Sequence, residues 1–250
     1  MHMKFIYILL TVFLCLSSPL RCSPDELVAS DSAENSEFDD NGEDNQIDPY
    51  EPFNRSVYEF NRGLDTFVFR PLAELYRGGV PSPARDSIHN AMSNLGSPLT
   101  FINDVLQLEG DRALDTFARF LINSTLGIAG LFDVATEMGI EQHQQDFGQT
   151  LASAGIESGP YFMLPILGPS NPRDLLGRIA DVFIDPFNII MYRNDLDSVT
   201  YIRTGTDLLD HRERSIEFTD RIDKSLDPYA QYRSLYIQNR EYNTKKQLDK

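Results

Sequence analysis

A small polar residue followed directly by proline recurs along the chain, at Asp48-Pro49, Ser97-Pro98, Asn171-Pro172, Asp185-Pro186 and Asp227-Pro228. Proline lacks a backbone N–H and is tolerated at the first helical position, so each pair reads as a cap and a helix start. Glu51 and Asp174 stand three residues after the caps Asp48 and Asn171. There Glu51 closes a capping box and Asp174 complements the helix dipole, so Asn171 with Asp174 is a predicted helix cap. Between these punctuation marks apolar residues recur at four-three spacing: Phe53, Val57, Phe60, Leu64, Phe67; Ile88, Met92, Leu95; Leu99, Ile102, Leu106; and Leu114, Phe117, Leu121. Further helices fit 175–183 and 199 to about 226, with Ile202, Leu209, Ile216 and Ile222 inside the second. Strand alternation is nearly absent, and glycine-rich breaks fall at Gly78-Gly79, 127–130 and 155–168. The expected fold is mainly α, a set of short amphipathic helices.

The two ends of the chain differ from this middle. Residues 1–22 carry Lys4, an apolar run over 5–16 and then Ser17 and Ser18, a secretory leader whose apolar run is too short to span a bilayer. From 23 to 48 there are ten acidic residues and no lysine or arginine, so 23–47 reads as a disordered acidic tether that holds much of the formal net charge of −16. No basic nucleic-acid footprint is present. Both cysteines, Cys15 and Cys22, lie in or beside the leader, which excludes disulfides and thiolate metal sites from the helical domain at 48–242. Cys22 is open to two readings, the lipidated first residue of a lipoprotein or a residue near an ordinary cleavage site. Arg21 is a bulky charge where a lipoprotein signal wants a small residue. Residues 243–250 form a polar tail.

Catalytic signatures are sparse. Asp146-Phe147-Gly148 repeats a kinase metal-binding tripeptide, but no phosphate loop, strand lysine or HRD-type loop precedes it, and no lysine lies between Lys4 and Lys224. His89, His143 and His211 show no metal-ligand spacing, and there is no G-x-S-x-G elbow. No cofactor or metal is expected. The first helix carries a second stripe one residue after its apolar one, Asn54, Tyr58, Asn61 and Asp65, which places a hydrogen-bonding face beside a greasy one. The segment Tyr161, Phe162, Met163, Leu164, Pro165, Ile166, Leu167 is too short to span a bilayer, and Pro165 argues against a central strand. It is fenced by Gly159-Pro160 and Gly168-Pro169, which fix turns, and reads as a buried loop or an apolar hairpin at a surface.

Several of these stretches together resemble a known family. DPYEPFNRSVYEFN (48–61) with Leu64-Asp65 and Arg70-Pro71, RFLINSTLGIAGLFDVA (119–135), DFGQTLASAGIESGPYFMLPILGPSNPRD (146–174) and DPYAQYRSLYIQNREY (227–242) occur in the order found in the MlaA (VacJ) family of outer-membrane phospholipid-transport lipoproteins. Tyr50 stands where that family commonly has tryptophan. The resemblance implies a ring-like bundle of short amphipathic helices lying in the periplasmic leaflet of the outer membrane of a Gram-negative bacterium. A central channel would remove phospholipid and pass it to a soluble periplasmic carrier, next to a trimeric porin, and no reaction would be catalysed. On that reading Asn54, Tyr58, Asn61, Asp65, Tyr161, Met163, Leu164 and Pro165 are candidate lipid-path residues. Two alternatives are a lipid-acting hydrolase using His143 or His89 as base, and a passive structural lipoprotein that binds porins.

Overall fold

The computed structural model describes residues 48–248, with side chains described to Asn243 and Thr244 at the C-terminal end. The leader, the acidic tether and Cys22 lie outside the described residues. Helix α1 (Glu51–Leu64) runs through a widened π-type turn (Asp65–Phe69) into α2 (Arg70–Gly79). Pro71 explains the widening: it lacks an N–H and its ring crowds the preceding turn, and the Arg70 N–H accordingly reaches five residues back to the Asp65 carbonyl. Then come α3 (Ser82–Leu106), α4 (Gly110–Thr125), the single turn α5 (Val134–Glu137) and α6 (Phe147–Ser153). A two-stranded hairpin, β1 (Phe162–Leu164) and β2 (Gly168–Ser170), is followed by α7 (Pro172–Ile184), α8 (Pro186–Arg193), α9 (Asp197–Arg214), α10 (Ile216–Ile222) and α11 (Pro228–Leu248). The chain is mainly α, and α11 carries helix through residues 243–248.

Three of the five expected caps do what their chemistry dictates. Asn171 accepts the Asp174 N–H at 2.8 Å, Asp185 accepts the Phe187 N–H at 3.0 Å, and Asp227 accepts the Ala230 N–H at 3.1 Å. Two do not. Ser97-Pro98 sits inside α3, where packing along α4 overrides the local stop: Asn94 bonds Ser124 at 2.9 Å, the Phe101 and Phe117 rings stand 5.8 Å apart, and Thr116 donates to Asp104 at 2.7 Å. At Asp48 the helix begins three residues later and Glu51 closes no capping box, pairing instead with Arg55 at 2.7 Å. The buried Asp48 carboxylate takes hydrogen bonds from Asn54 Nδ2 at 2.7 Å, from the Tyr229 hydroxyl and from Arg233 Nη1 at 3.1 Å. It ties α1 to α11. The single helix expected over 199–226 is two, because Ser215 turns its hydroxyl back to the His211 carbonyl at 2.6 Å and the chain bends there.

The polarity of the fold is turned inside out. Among the described residues, 24 buried side chains are polar or charged and 11 are hydrophobic, so the interior is held by hydrogen bonds and ion pairs more than by apolar packing. Along α3 and α4 the facing seam is Asn94, Thr100, Asp104, Thr116 and Asn123, all buried, while buried Asn103 turns to Thr150 and Asp181, and Leu106, Leu114, Phe117 and Leu121 are exposed. Over α1 and the π-type turn the apolar stripe splits: Val57 packs inward, and Phe53, Phe60 and Phe67 are exposed, Phe67 at 83%. No helix among the described residues is long and apolar enough to cross a membrane.

A closed circuit of elements produces a ring. The start of α1 is clasped to the start of α11 by Arg55 and Asp227, at 3.0 and 2.6 Å. The α2 segment is clasped to α10 by Arg70 with Asp220 at 2.7 Å and Arg77 with Glu217 at 3.0 Å, and to α9 by Arg77 with Glu213 at 3.4 Å. The hairpin closes the circuit between α1 and α11 through an apolar cluster of Val57, Tyr161, Met163, Tyr229 and Tyr236.

Among the described residues four carboxylates sit below their ordinary range. At Asp146 and Asp210 burial opposes ionisation, and the Arg240 charge in the first case, the His89 hydrogen bond and Arg214 in the second, outweigh it. Burial also opposes ionisation at Asp133, where hydrogen bonds from Thr136, Asn123 and Arg119 prevail, and at Asp227 the Arg55 hydrogen bond leads. The folded chain therefore binds fewer protons than the unfolded one near pH 4, about where free aspartates titrate. Their contribution is fully present above that pH and is lost as the pH falls through the folded values. Thermal midpoints are expected to hold between pH 7 and about 5 and to drop steeply below about 4; a midpoint unchanged down to pH 2 would contradict the assignment.

Candidate functional site

Inside the ring lies a cavity of about 240 Å³ between α1, the π-type turn, the hairpin and α9 to α11. Its lining is amphipathic. Leu64, Phe69, Ile166, Leu208, Phe218 and Leu235 supply apolar wall, while Asn61, Asp65, Arg62, Arg212, Asp223 and Asn239 supply polar and ionic groups. The wall from the C-terminal half follows a four-three stripe, Leu208, Arg212, Ser215, Thr219 and Ile222, that continues across the bend between α9 and α10.

Polar residues of α1 build the near wall by reading the hairpin backbone. The Asn54 carboxamide accepts the Met163 N–H at 2.8 Å and donates to the Tyr161 carbonyl at 3.4 Å. Seven residues on, the Asn61 carboxamide accepts the Ile166 N–H at 2.7 Å and donates to the Leu164 carbonyl at 2.9 Å. Two asparagines on one helix face thus satisfy the open edge of a two-stranded ribbon, which is too short to stand alone. Between them Tyr58 stacks edge-on to Tyr229 at 5.7 Å, and burial, with Asp223 adding to it, pushes its hydroxyl up to about 12. Asp65 receives Arg212 Nε and Nη2 at 2.5 and 2.8 Å.

Of the expected lipid-path residues, the fold brings Tyr58, Asn61, Asp65 and Met163 to the cavity, together with the turn residues Gly168 and Pro169. Asn54 is fully buried behind the hairpin, Tyr161 lies in the aromatic cluster, Leu164 is half-buried and Pro165 is exposed at the hairpin tip. Gly159 and Gly168 take the left-handed backbone at φ 73° and 75°, which glycine adopts without strain. Met163 is 1% exposed and packs in the aromatic cluster at the cavity edge. Met163→Asp is expected to lose the fold, since burying an unpaired carboxylate costs several kcal/mol. Met163→Leu is expected to cost under about 1.5 kcal/mol. Helicity and protease resistance of the two variants check this.

The Asp146-Phe147-Gly148 tripeptide is a structural corner. Asp146 caps α6 through the Gln149 N–H at 2.8 Å, and the Phe147 N–H is held by Asp181 at 3.1 Å. Gly148 lies so close to α7 that a Cβ on Gly177 would stand 2.2 Å from its nitrogen. The histidines serve as carboxylate partners: His89 Nδ1 meets Asp210 at 2.7 Å, and His143 Nε2 meets both oxygens of Asp104 at 3.0 Å. Thr116 joins the second pair, its hydroxyl donating to Asp104 at 2.7 Å and standing 3.3 Å from His143 Nε2. Among the described residues no cluster of three or more His, Cys, Asp or Glu is arranged to hold a metal.

A ring of short helices with a polar interior, an apolar outer face and an amphipathic cavity defines a class of protein built for a lipid boundary. Comparison with known proteins narrows the class. A family model described as MlaA lipoprotein matches residues 46–243. The chain is 40% identical over 195 residues to a protein of Rickettsia prowazekii (strain Madrid E), covering 78% of this chain and 76% of that one. It is 33% identical over 201 residues to the intermembrane phospholipid transport system lipoprotein MlaA of Escherichia coli (strain K12), covering 78% and 77%. A solved structure reported under "Structural basis for maintenance of bacterial outer membrane lipid asymmetry" superposes with a TM-score of 0.68 at 31% identity, covering 79% of this chain and 98% of that one. The chain belongs to the MlaA lipoprotein family.

Proposed function

We propose that this chain moves phospholipid through the cavity at the centre of its ring, drawing it from the outer membrane and so maintaining lipid asymmetry. One observation carries the reading: polar side chains face inward around an amphipathic cavity while large apolar side chains cover the circumference. Each apolar side chain withdrawn from water contributes about 1.5–3 kcal/mol, so the rim formed by Phe53, Phe60, Phe67, Leu114, Phe117 and Leu176 favours immersion in acyl chains. With no helix of spanning length among the described residues, immersion in one leaflet suits the ring, and the periplasmic leaflet gives the cavity an aqueous exit. On this reading a trimeric porin flanks part of the apolar rim, and a soluble periplasmic carrier collects the lipid. The family kinship and the transport role named for the Escherichia coli relative support the same assignment. Cells deleted for this protein are expected to accumulate phospholipid in the outer leaflet, and the full chain to restore clearance. A folded, membrane-located chain that leaves the accumulation unchanged would refute the reading.

A further inference from the structure

Pro98 stands inside α3, four residues after Asn94. Proline has no N–H to give, so the Asn94 carbonyl cannot close the usual bond one turn on. At a lipid boundary such a break is tolerated where hydroxyls or ordered water take up the freed group. The sequence around it supplies hydroxyls: Ser93, Ser97 and Thr100 follow one another at four-three spacing and so share a face of the helix. These three and Asn94 border a second, small cavity of about 20 Å³, faced from α4 by Thr116 and Asn123. Asn94, Thr100, Thr116 and Asn123 are each less than a tenth exposed, so the cavity lies within the seam between the two helices.

Most polar groups around it are committed elsewhere. Ser97 donates to the Ser93 carbonyl at 3.3 Å and Thr116 to Asp104 at 2.7 Å, while the Asn123 carboxamide meets Asp133 and the Ala135 N–H, each at 2.9 Å. Thr100 differs. It is 5% exposed and borders the cavity, and its hydroxyl has no hydrogen-bond partner among the described residues although its oxygen is accessible to a water molecule. Buried hydroxyls are hydrogen-bonded as a rule, so this one points to a ligand.

We propose that one water molecule is built into the seam here, taking the Thr100 hydroxyl proton and giving its own to the Asn94 carbonyl and to the hydroxyl oxygen of Thr116, whose proton is spent on Asp104. Size and charge select it. A cavity of about 10–15 Å³ suffices for a water, and one of about 20 Å³ admits no organic ligand. The ionic groups at its edge are already matched, Arg119 with Asp133 at 2.8 Å and His143 with Asp104 at 3.0 Å, so nothing there calls for a charged guest. Three partners are what a buried water ordinarily has. The water carries hydrogen bonding past the proline and from α3 to α4, which helps α3 continue through Ser97-Pro98. The site is independent of the lipid path.

The test compares the full chain in detergent with Thr100→Val and Thr100→Ser, by thermal unfolding and by crystal structures that resolve bound water. Valine keeps the shape and β-branching of threonine and exchanges only the hydroxyl for a methyl. Removing a buried hydroxyl that has no partner stabilises a fold, whereas removing one that binds water loses a hydrogen bond. The sign of the change therefore decides. Thr100→Val is expected to lower the thermal midpoint by about 2–4 °C, the effect of about one net hydrogen bond in a domain of this size. The native crystal is expected to show a water within about 3.2 Å of both Thr100 Oγ1 and the Asn94 carbonyl oxygen. Thr100→Ser is expected to keep that water and Thr100→Val to lack it. A raised or unchanged midpoint for Thr100→Val overturns the proposal. So does a native crystal without water at this place, which decides the matter even if the valine variant does not fold.

Discussion

Replacing Asp174 with alanine is expected to lower the unfolding free energy by about 3–5 kcal/mol, the cost of stripping one partner from a buried ionic network. Asp174 is 3% exposed and accepts from the Tyr236 hydroxyl at 2.6 Å, Arg240 Nη2 at 2.8 Å and Asn171 Nδ2 at 2.9 Å. Its removal leaves these donors and Arg173 Nε, which bonds it at 3.2 Å, without their common acceptor, and Arg240 falls back on Asp146 alone, at 2.6 Å. Against a total of roughly 5–15 kcal/mol, a loss of this size takes a large part of the stability. Asn171→Ala removes the cap and one donor but leaves Asp174, Tyr236 and Arg240 together, so its cost is expected near 1 kcal/mol. Thermal unfolding followed by circular dichroism separates the two. Equal small losses would mean that Asp174 acts only as part of a helix cap.

That pair of variants marks the boundary between what the sequence discloses and what it does not. Asn171, Asp185 and Asp227 cap helices through bonds that span three residues or fewer, so local chemistry decides them and a reader of the sequence finds them. The second role of Asp174 depends on Tyr236 and Arg240, more than sixty residues away. Ser97-Pro98 misleads because the stop signal is local while the force that overrides it, the polar seam between α3 and α4, is tertiary. The Asn54, Tyr58, Asn61, Asp65 stripe is legible as a face, but spacing alone does not say that the face meets a hairpin backbone and an arginine of α9. The opposite wall, with Arg212, Ser215 and Thr219, is not picked out by the sequence reading although its four-three stripe is present in the sequence. A charged residue inside such a stripe reads as solvated flank, and the bend at Ser215 hides its continuity. The inside-out polarity is concealed for a related reason: Phe53, Phe60 and Phe67 keep a helical period whether they face a core or a lipid, and only the fold shows them outside.

On the proposed lipid path, filling the cavity is expected to abolish transport while leaving the protein folded. Leu235 on α11 is half-buried and forms apolar wall across from Tyr58 and Asn61 of α1. Leu235→Trp places an indole in open space of about 240 Å³, so the overpacking cost of about 1–3 kcal/mol that accompanies such a change in a filled core is largely avoided. Cells carrying this variant are expected to hold outer-leaflet phospholipid near the level of a deletion, with protein abundance and thermal midpoint close to wild type. Leu235→Ala, which widens the passage, is expected to keep clearance. So is Leu176→Trp, which adds the same indole to the exposed apolar face of α7. The contrast between the two tryptophans decides the matter, because both raise bulk and hydrophobicity equally and only one obstructs the ring. Normal clearance by a folded, abundant Leu235→Trp protein would mean that phospholipid travels by another route.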